Sequence, residues 1–287
     1  MKVLITGKNG QLGYELRATA PEGVEVFAYD VAELDITDQK AVLEKVTELK
    51  PDVIINAAAY TAVDKAETDS ELAYLVNETG AKNLAHAANS VSAKLVHIST
   101  DFVFDATKNT WYLPEDKTNP LGVYGASKLA GEEAVLAENT ENATIIRTSW
   151  VYSSHGNNFV KTMLKLMAER DELSVVADQI GTPTWAKGLA NICWKVAKTG
   201  SIESIYHWSD LGTASWYDFA VAIQEIGLEL GILNSEIPVK PIKADQYPTP
   251  AKRPVYSIMD TTKIRDEKDV EGLHWRKALK EMMNELV

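Results

Sequence analysis

Apolar and polar positions in the first half of the chain follow two alternating patterns. Short runs rich in β-branched residues, typical of buried parallel strands, are separated by longer stretches with the spacing of amphipathic helices. The predicted strands are residues 2–6, 24–29, 53–56, 94–99 and 143–147. The predicted helices are residues 11–19, 38–49, 71–88 and 125–138. Strands and helices in this order predict right-handed βαβ units and a parallel α/β sheet.

The second half of the chain is less regular. The predicted helices there are residues 158–169, 185–198, 215–230 and 275–286, and strand-like runs cover residues 174–177 and 205–208. Residues 245–254 contain three prolines and predict an extended loop. We therefore expect a sheet domain over residues 1–150 and mainly a smaller C-terminal α/β lobe over residues 151–287, with some segments of the lobe returning to the sheet domain.

Composition and charge exclude several classes of protein. With 45% hydrophobic and 24% charged residues, the chain has the composition of a folded globular protein. The net charge of −12 argues against binding to nucleic acid or to an anionic membrane, which need a basic surface. No apolar stretch approaches the roughly 20 residues of a membrane span, and the first residues resemble a strand more than a signal peptide. We expect a cytoplasmic protein.

Cysteine and histidine offer no metal site. Cys193 is the single cysteine, so no intramolecular disulfide is possible, and its apolar neighbours predict a buried structural thiol. The five histidines lack the spacing of metal ligands. We therefore expect no bound metal.

Gly7, Gly10 and Gly13 stand between the first predicted strand and the first predicted helix. Glycine permits a tight turn and a close approach of the backbone to a phosphate, which the N–H groups of the helix start then face. This position predicts the dinucleotide-binding loop of a Rossmann-type, doubly wound sheet. Asp30 ends the second predicted strand and favours the ribose of NADH, while Lys8 could offset the repulsion of a 2′-phosphate. These residues do not decide between NADPH and NADH as the cofactor.

Tyr124 and Lys128 lie four residues apart and share one face of a predicted helix. The ammonium is expected to lower the pKa of the phenol from about 10 towards the working pH, so that Tyr124 can protonate a carbonyl oxygen as hydride arrives. Chance alone produces about one tyrosine–lysine pair with this spacing in such a chain. The interpretation therefore depends on the position of the pair after the fourth predicted strand. Thr100 and Asp101 end that strand, where α/β sheets bind ligands, and Thr100 can donate to the same oxygen.

Further segments make the chain resemble the extended short-chain dehydrogenase/reductase family over nearly its whole length. Together with Tyr124 and Lys128, these segments are residues 5–13, 56–67, 99–104, 147–152, 156–159 and 250–254. Within the family the chain is similar to reductases of nucleotide-linked 4-keto sugars. The resemblance implies reduction of the C4 keto group of a dTDP-4-keto-6-deoxy-L-sugar by NADPH or NADH, giving dTDP-L-rhamnose for cell-surface polysaccharide.

The resemblance also implies a role for individual residues. Tyr124 is the proton donor, Lys128 orients the nicotinamide ribose, and Thr100 polarises the C4 carbonyl. Besides Tyr124 and Lys128, the expected cofactor-binding residues are Gly7, Gly10, Gln11, Leu12, Gly13, Asp30, Asp35, Ile36, Ala59, Tyr60 and Thr61. The expected substrate-binding residues are Thr100, Asp101, Trp150, Asn158, Lys252 and Arg253.

The chain departs from the family pattern at two places. Phe102 stands where the family commonly has Tyr, so a hydroxyl is lost while the ring is kept. Some members form dimers through a magnesium ion held by glutamates. Glu15 would suit that role, but Lys187 stands where an acid would be wanted. This argues against a magnesium-bridged dimer and leaves a monomer or a homodimer open.

Two other functions fit the same scaffold. A nucleotide-sugar dehydratase or epimerase shares the fold, but a 4,6-dehydratase needs a second carboxylate where Phe102 stands. A regulatory subunit that binds NADP(H) without turnover, like the related subunit of a methionine adenosyltransferase, would keep similar motifs. Thr100, Tyr124 and Lys128 together favour an enzyme.

Overall fold

Strands and helices alternate along most of the chain, of which the computed structural model describes residues 1–139 and 141–287. The strands are β1 (Lys2–Thr6), β2 (Glu25–Tyr29), β3 (Val53–Asn56), β4 (Lys94–Thr100), β5 (Ala143–Thr148), β6 (Val151–Tyr152), β7 (Leu173–Val176), β8 (Ile180–Gly181), β9 (Thr184–Trp185), β10 (Ile205–His207), β11 (Ala214–Ser215) and β12 (Val239–Ile242). The α-helices are α1 (Gln11–Ala18), α2 (Gln39–Leu49), α3 (Val63–Ala66), α4 (Ser70–Tyr74), α5 (Ala81–Ser90), α6 (Val123–Glu138), α7 (Phe159–Glu169), α8 (Ala186–Thr199), α9 (Trp216–Glu229), α10 (Thr262–Lys268) and α11 (Trp275–Asn284).

A parallel sheet with the strand order β10-β5-β4-β3-β1-β2 forms the centre of the fold. Its first five strands along the chain lie within one residue of their predicted bounds, and the doubly wound α/β fold is confirmed. After β1 the chain runs outward to β2 and then returns to add β3 on the other side of β1. The winding therefore reverses between β1 and β3, and such a reversal leaves a crevice for ligands at the carboxyl ends of the strands.

Helices cover both faces of the sheet, because alternate residues of a strand point to opposite sides. Val3 and Ile5 of β1 pack in one apolar cluster with α1 and α8. Leu4, between them, packs in a second cluster with α2, α5 and α6. All three side chains are fully buried. This double burial explains why the strands appear in the sequence as continuous apolar runs.

Helix α8 and strand β10 come from the second half of the chain but belong to the sheet domain. Leu189 and Cys193 of α8 lie in the same apolar cluster as Val3. Tyr206 of β10 pairs with Ile146 of β5 and extends the sheet by one strand. The second half therefore contributes an edge strand and a covering helix to the sheet.

Most of the remaining second half encloses an apolar core of its own, built mainly from α7, α9 and α11, while Ile264 of α10 lies in the cluster of the sheet domain. Phe219 of α9 stacks on Phe159 of α7 and meets Trp275 of α11 edge-on. The strand pairs β6–β9, β7–β12 and β8–β11 border this core. Within the described ranges, no helix has the length and apolar character needed to cross a membrane.

A π-helical turn, Leu75–Gly80, interrupts the helix predicted at residues 71–88 and separates α4 from α5. The turn brings Asn77 against α6, where its side chain donates to Ser127 Oγ at 3.0 Å and to Tyr60 O at 3.1 Å. A Cβ on Gly131 of α6 would lie 2.1 Å from the Asn77 carbonyl oxygen. This close packing of two helices is a tertiary effect, which explains why the local pattern did not predict the turn.

Candidate active site

The glycine loop after β1 packs directly against the backbone after β3. Gly7 has a φ of +71°, and a Cβ there would lie 2.8 Å from Ala58 N. A Cβ on Gly13 would lie 2.1 Å from Gly7 O. Gly10 precedes α1 and donates its N–H to Gly7 O at 3.0 Å. Gly7 and Gly13 are therefore required by the backbone packing itself, which places the start of α1 at the carboxyl edge of the sheet.

A cleft of about 960 Å³ opens above this edge and brings most of the predicted residues together. The predicted residues that line it are Gly7, Gly10, Gln11, Leu12, Asp30, Asp35, Ile36, Ala59, Tyr60, Thr61, Thr100, Asp101, Tyr124, Lys128, Trp150, Asn158 and Arg253. Gly13 lies below it against Gly7, and Lys252 is exposed outside it. The cleft therefore runs from the end of β2, past the glycine loop, to the second lobe.

Thr100 and Asp101 are buried beyond the end of β4, and the half-buried Tyr124 lies beside them. Thr100 Oγ1 donates to Asp101 Oδ1 at 3.1 Å and accepts from Phe102 N at 3.2 Å. Burial raises the pKa of Asp101 to about 6, although hydrogen bonds with Ser257 and Thr100 oppose the shift. The Phe102 ring meets the Tyr124 ring edge-on at 5.4 Å. The aromatic ring of Phe102, which stands where the family commonly has Tyr, therefore packs against the predicted proton donor.

Tyr124 does not have the lowered pKa expected from its spacing to Lys128. Burial raises the pKa of Tyr124 to about 12, and its hydrogen bond with Thr100 offsets only part of this rise. The Lys128 ammonium donates to Ile98 O at 2.6 Å instead, and burial lowers the pKa of Lys128 to about 8. The expectation was wrong because burial outweighs an ammonium that is held elsewhere. Tyr124 is thus a neutral phenol at neutral pH.

A buried ion pair supports the helix segment that carries Lys128. Glu132, one turn further along α6, is bonded by Arg147 of β5 at distances of 2.7 to 3.2 Å. Both side chains are at most 3% exposed. The negative charge of Glu132 opposes the lowering of the pKa of Lys128 by burial. The pair therefore fixes α6 on the sheet and favours the charged form of Lys128.

Several buried polar atoms along the cleft have no protein partner among the described residues. They are Ser99 Oγ, Asp101 Oδ2 and Thr148 Oγ1, all in residues that line the cleft. A buried polar group without a partner costs free energy, so such atoms are suited to a polar ligand. Together with the glycine loop, they make the cleft a fit for a dinucleotide and a hydroxylated second ligand.

Asp30 closes the far end of the cleft by holding the glycine loop. Its carboxylate accepts from Asn9 N at 3.0 Å and from Val31 N at 2.8 Å. Glu33, which the sequence prediction did not include, accepts from Asp30 N at 3.0 Å and pairs with Lys8 at 2.6 Å. The carboxylate of Asp30 is therefore fixed in place beside the region where an adenosine ribose is expected.

Both the oxygen and the nitrogen of the Asn158 side chain form hydrogen bonds that hold parts of the cleft together. Its Oδ1 accepts from Lys161 N at 3.1 Å and caps α7. Its Nδ2 donates to Gln11 Oε1 at 3.0 Å and to Ser153 O at 2.7 Å. Asn158 thereby ties the second lobe to the start of α1, which positions Gln11 in the cleft.

Trp150 and Trp216 form an aromatic wall of the cleft. Their rings are stacked with centroids 3.5 Å apart. Trp150 has a φ of +47°, a sparsely populated conformation for a bulky residue, and a Cβ on Gly181 would lie 2.7 Å from its indole. The sequence prediction missed Trp216, which begins α9 after the capping Ser215 and carries no local signal of a binding site.

Asp64 is a further residue that the prediction missed, although it lies in a motif that supported the family resemblance. It forms a two-pronged ion pair with Arg253 and also accepts from Ala251 N at 3.2 Å. Arg253 keeps the pKa of the Asp64 carboxyl below its usual value. The pair holds the loop at residues 250–254 against the segment after β3.

Glu15 lies near one other acid, Glu285, and near the Lys187 ammonium. It is buried and accepts from Ser153 Oγ at 2.6 Å, while Lys187 pairs with Glu285 at 2.8 Å nearby. Within residues 1–139 and 141–287, no group of three or more His, Cys, Asp or Glu side chains is arranged to hold a metal ion. The residues around Glu15 therefore do not fit a magnesium site within one chain.

The sheet, the glycine loop and the group of Thr100, Tyr124 and Lys128 define an enzyme of the extended short-chain dehydrogenase/reductase class. The chain belongs to the family described as RmlD substrate binding domain, whose model matches residues 1–287. It is 42% identical to a dTDP-4-dehydrorhamnose reductase from Escherichia coli K12, over 100% of this chain and 98% of that protein.

Solved structures agree over the same length. A dTDP-4-dehydrorhamnose reductase from Clostridium acetobutylicum is 44% identical with a TM-score of 0.94, over 100% of this chain and 99% of that one. A dTDP-4-dehydrorhamnose reductase from Bacillus anthracis, in complex with NADP, is 40% identical with a TM-score of 0.93, over 99% of each chain.

Proposed function

We propose that this protein reduces the C4 keto group of dTDP-4-dehydro-L-rhamnose to give dTDP-L-rhamnose, with NADPH or NADH as the reductant. The observation that carries the proposal is the group of Thr100 and Tyr124 beside Lys128, set in the cleft of a chain whose full-length relatives are named for this reaction. A nicotinamide dinucleotide, when bound, supplies the hydride.

Tyr124 holds the proton that the reaction needs. Because its pKa is about 12, the phenol stays protonated at neutral pH and can donate to the C4 oxygen as negative charge develops there. Thr100, whose hydroxyl lies beside Tyr124, can turn its O–H from Asp101 to the same oxygen. Two donors would then hold the carbonyl and stabilise its developing charge.

The remaining predicted residues divide between the two ligands. Gly7, Gly10, Gln11 and Leu12 would hold the dinucleotide phosphates. Asp30, Asp35 and Ile36 would hold the adenosine, while Ala59, Tyr60, Thr61 and Lys128 would hold the nicotinamide half. Asp101 and Trp150 would contact the sugar, and Arg253 suits the diphosphate because a guanidinium matches phosphate oxygens in two-pronged geometry. Asn158 and Lys252, which were also predicted to bind the substrate, would contact it at the rim of the cleft.

The domain division follows from the same assignment. Residues 1–150 would bind the dinucleotide, and residues 151–287 would mainly bind the sugar nucleotide, with α8 and β10 supporting the sheet. The net charge of −12 does not favour a nucleic-acid or anionic-membrane partner, and we propose that the reaction takes place in the cytoplasm.

The test is oxidation of NADPH or NADH by the purified protein, with dTDP-4-dehydro-L-rhamnose generated in place by the preceding enzymes. We expect cofactor consumption matched by formation of dTDP-L-rhamnose. Cofactor binding without consumption would contradict the proposal and favour a non-catalytic NADP(H)-binding subunit. Return of an isomerised keto sugar without net consumption would favour an epimerase.

A further inference from the structure

A lysine and a glutamate stand beside the adenosine end of the cleft, yet neither lines it. Lys8 Nζ lies 2.6 Å from both carboxylate oxygens of Glu33. Glu33 also accepts from Asp30 N at 3.0 Å, and the Lys8 backbone donates to Tyr29 O at 3.1 Å. The Glu33 carboxylate therefore bridges the Lys8 ammonium and the backbone N–H of Asp30, the residue expected to face the ribose.

The Lys8 side chain also borders open space. A second cavity of about 350 Å³ is lined by Lys8 and Arg17, with Ala20, Val26 and Ala28. Arg17 is exposed and donates to Lys8 O at 3.5 Å. The ammonium thus has room to leave Glu33, and a second cation stands near it.

The charges at the adenosine end of the cleft repel a phosphate as long as Lys8 is paired with Glu33. Asp30 and Glu33 are both acids, and the hydrogen bond from Lys8 lowers the pKa of Glu33, so that Glu33 stays ionised at neutral pH. The side chains of Lys8 and Glu33 are 24% and 47% exposed, and an ion pair so open to water is weak. A phosphate with a charge of nearly −2 could therefore compete with one carboxylate for the lysine.

We propose that Glu33 sets the preference between NADH and NADPH by holding Lys8 away from the adenosine end of the cleft. Lys8 is the cation that a 2′-phosphate recruits, and Glu33 is its competitor inside the chain. The inference rests on the proposed function in one respect, namely that a dinucleotide binds in this cleft.

The experiment compares two probes that differ only in the phosphate, 5′-ADP and 2′,5′-ADP, by titration calorimetry of the full-length protein. Glu33→Gln removes the charge and keeps an acceptor for Asp30 N. We expect it to tighten 2′,5′-ADP about threefold to tenfold and to change 5′-ADP by less than about twofold. Higher ionic strength should shrink the gain because salt screens exposed charges.

Three further variants make the result specific. Lys8→Gln should weaken 2′,5′-ADP selectively, and adding Glu33→Gln in that background should give no further gain, because the competitor then has nothing to hold. Glu22→Gln, at the exposed turn before β2, removes the same charge and should leave the ratio of the two affinities unchanged. An unchanged ratio in Glu33→Gln would overturn the inference, as would a gain that persists without Lys8. Failure of 5′-ADP to bind the unchanged protein would instead contradict the proposed function.

Discussion

Arg253 and Asp64 form a two-pronged ion pair at the cleft, with nitrogen–oxygen distances of 2.9 and 2.7 Å. The partners are 189 residues apart in the sequence, one in the segment after β3 and the other in the proline-rich loop. Because Asp64 also accepts from Ala251 N, the carboxylate orients both the loop and the guanidinium. The pair thus holds the guanidinium in a fixed geometry, as the proposed contact of Arg253 with phosphate oxygens requires.

Replacing Arg253 with lysine should weaken the binding of the sugar nucleotide while the chemistry continues. Lysine keeps the charge but cannot form the two-pronged contact. We expect the KM for the sugar nucleotide to rise about tenfold and kcat to change by less than about twofold. Arg276→Lys is the matched control, since Arg276 pairs with Glu225 on the surface. Equal KM values for the Arg253 variant and the unchanged protein would refute this role.

Replacing Asp101 with asparagine should stabilise the protein at neutral pH but not in acid. The pKa of Asp101 is raised to about 6 by burial, so its native form binds a proton more tightly than the unfolded chain does. The stability that this proton contributes is present below about pH 4 and is lost as the pH rises through 6. Urea unfolding at pH 4 and pH 7.5 should therefore show a gain for Asp101→Asn only at the higher pH.

Asp105 provides the opposite case four residues along the chain. Hydrogen bonds, chiefly from Thr107, lower the pKa of Asp105 to about 2. Asp105→Asn should therefore lower stability at pH 7.5, and the loss should fade as the pH falls towards 2. The same pH trend in both variants would mean that the burial of Asp101 does not govern its titration.

The two glycines at the start of α1 should differ in their tolerance of alanine. A Cβ on Gly13 would lie 2.1 Å from Gly7 O and 2.8 Å from Lys8 Cα, both backbone atoms that cannot move alone. A Cβ on Gly10 would approach nothing closer than 3.3 Å. We expect Gly13→Ala to lower the free energy of unfolding by about 3 kcal/mol and Gly10→Ala by less than about 1 kcal/mol. Similar losses in the two variants would contradict the packing described for this loop.

The sequence predicted most of the sheet because its strands β1, β3 and β5 are buried on both faces. Such strands have an unbroken apolar pattern, and β1 and β3 begin and end where that pattern does. The strand-like run at residues 205–208 was also recognised, but its place beside β5 was not. A short edge strand carries no local mark of the strand it will join.

The residues of the site could be predicted where one segment carries the signal and not where two must meet. Thr100 stands at the end of a strand, and Tyr124 stands four residues before Lys128. Trp216 and Glu33 act through side chains that only the fold brings to Trp150 and Lys8. The direction of the pKa of Tyr124 was missed for a related reason, because spacing indicates a neighbouring charge but not the extent of burial.

Tyr124→Phe tests whether Tyr124 donates the proton in a carbonyl reduction. The measurement pairs kcat for dTDP-4-dehydro-L-rhamnose with the Kd of the dinucleotide, and Tyr74→Phe, half-buried on α4, serves as the control. We expect Tyr124→Phe to lower kcat by about 10²- to 10⁴-fold while the Kd stays within about twofold. An unchanged kcat, or a loss of cofactor affinity as large as the loss of turnover, would contradict it.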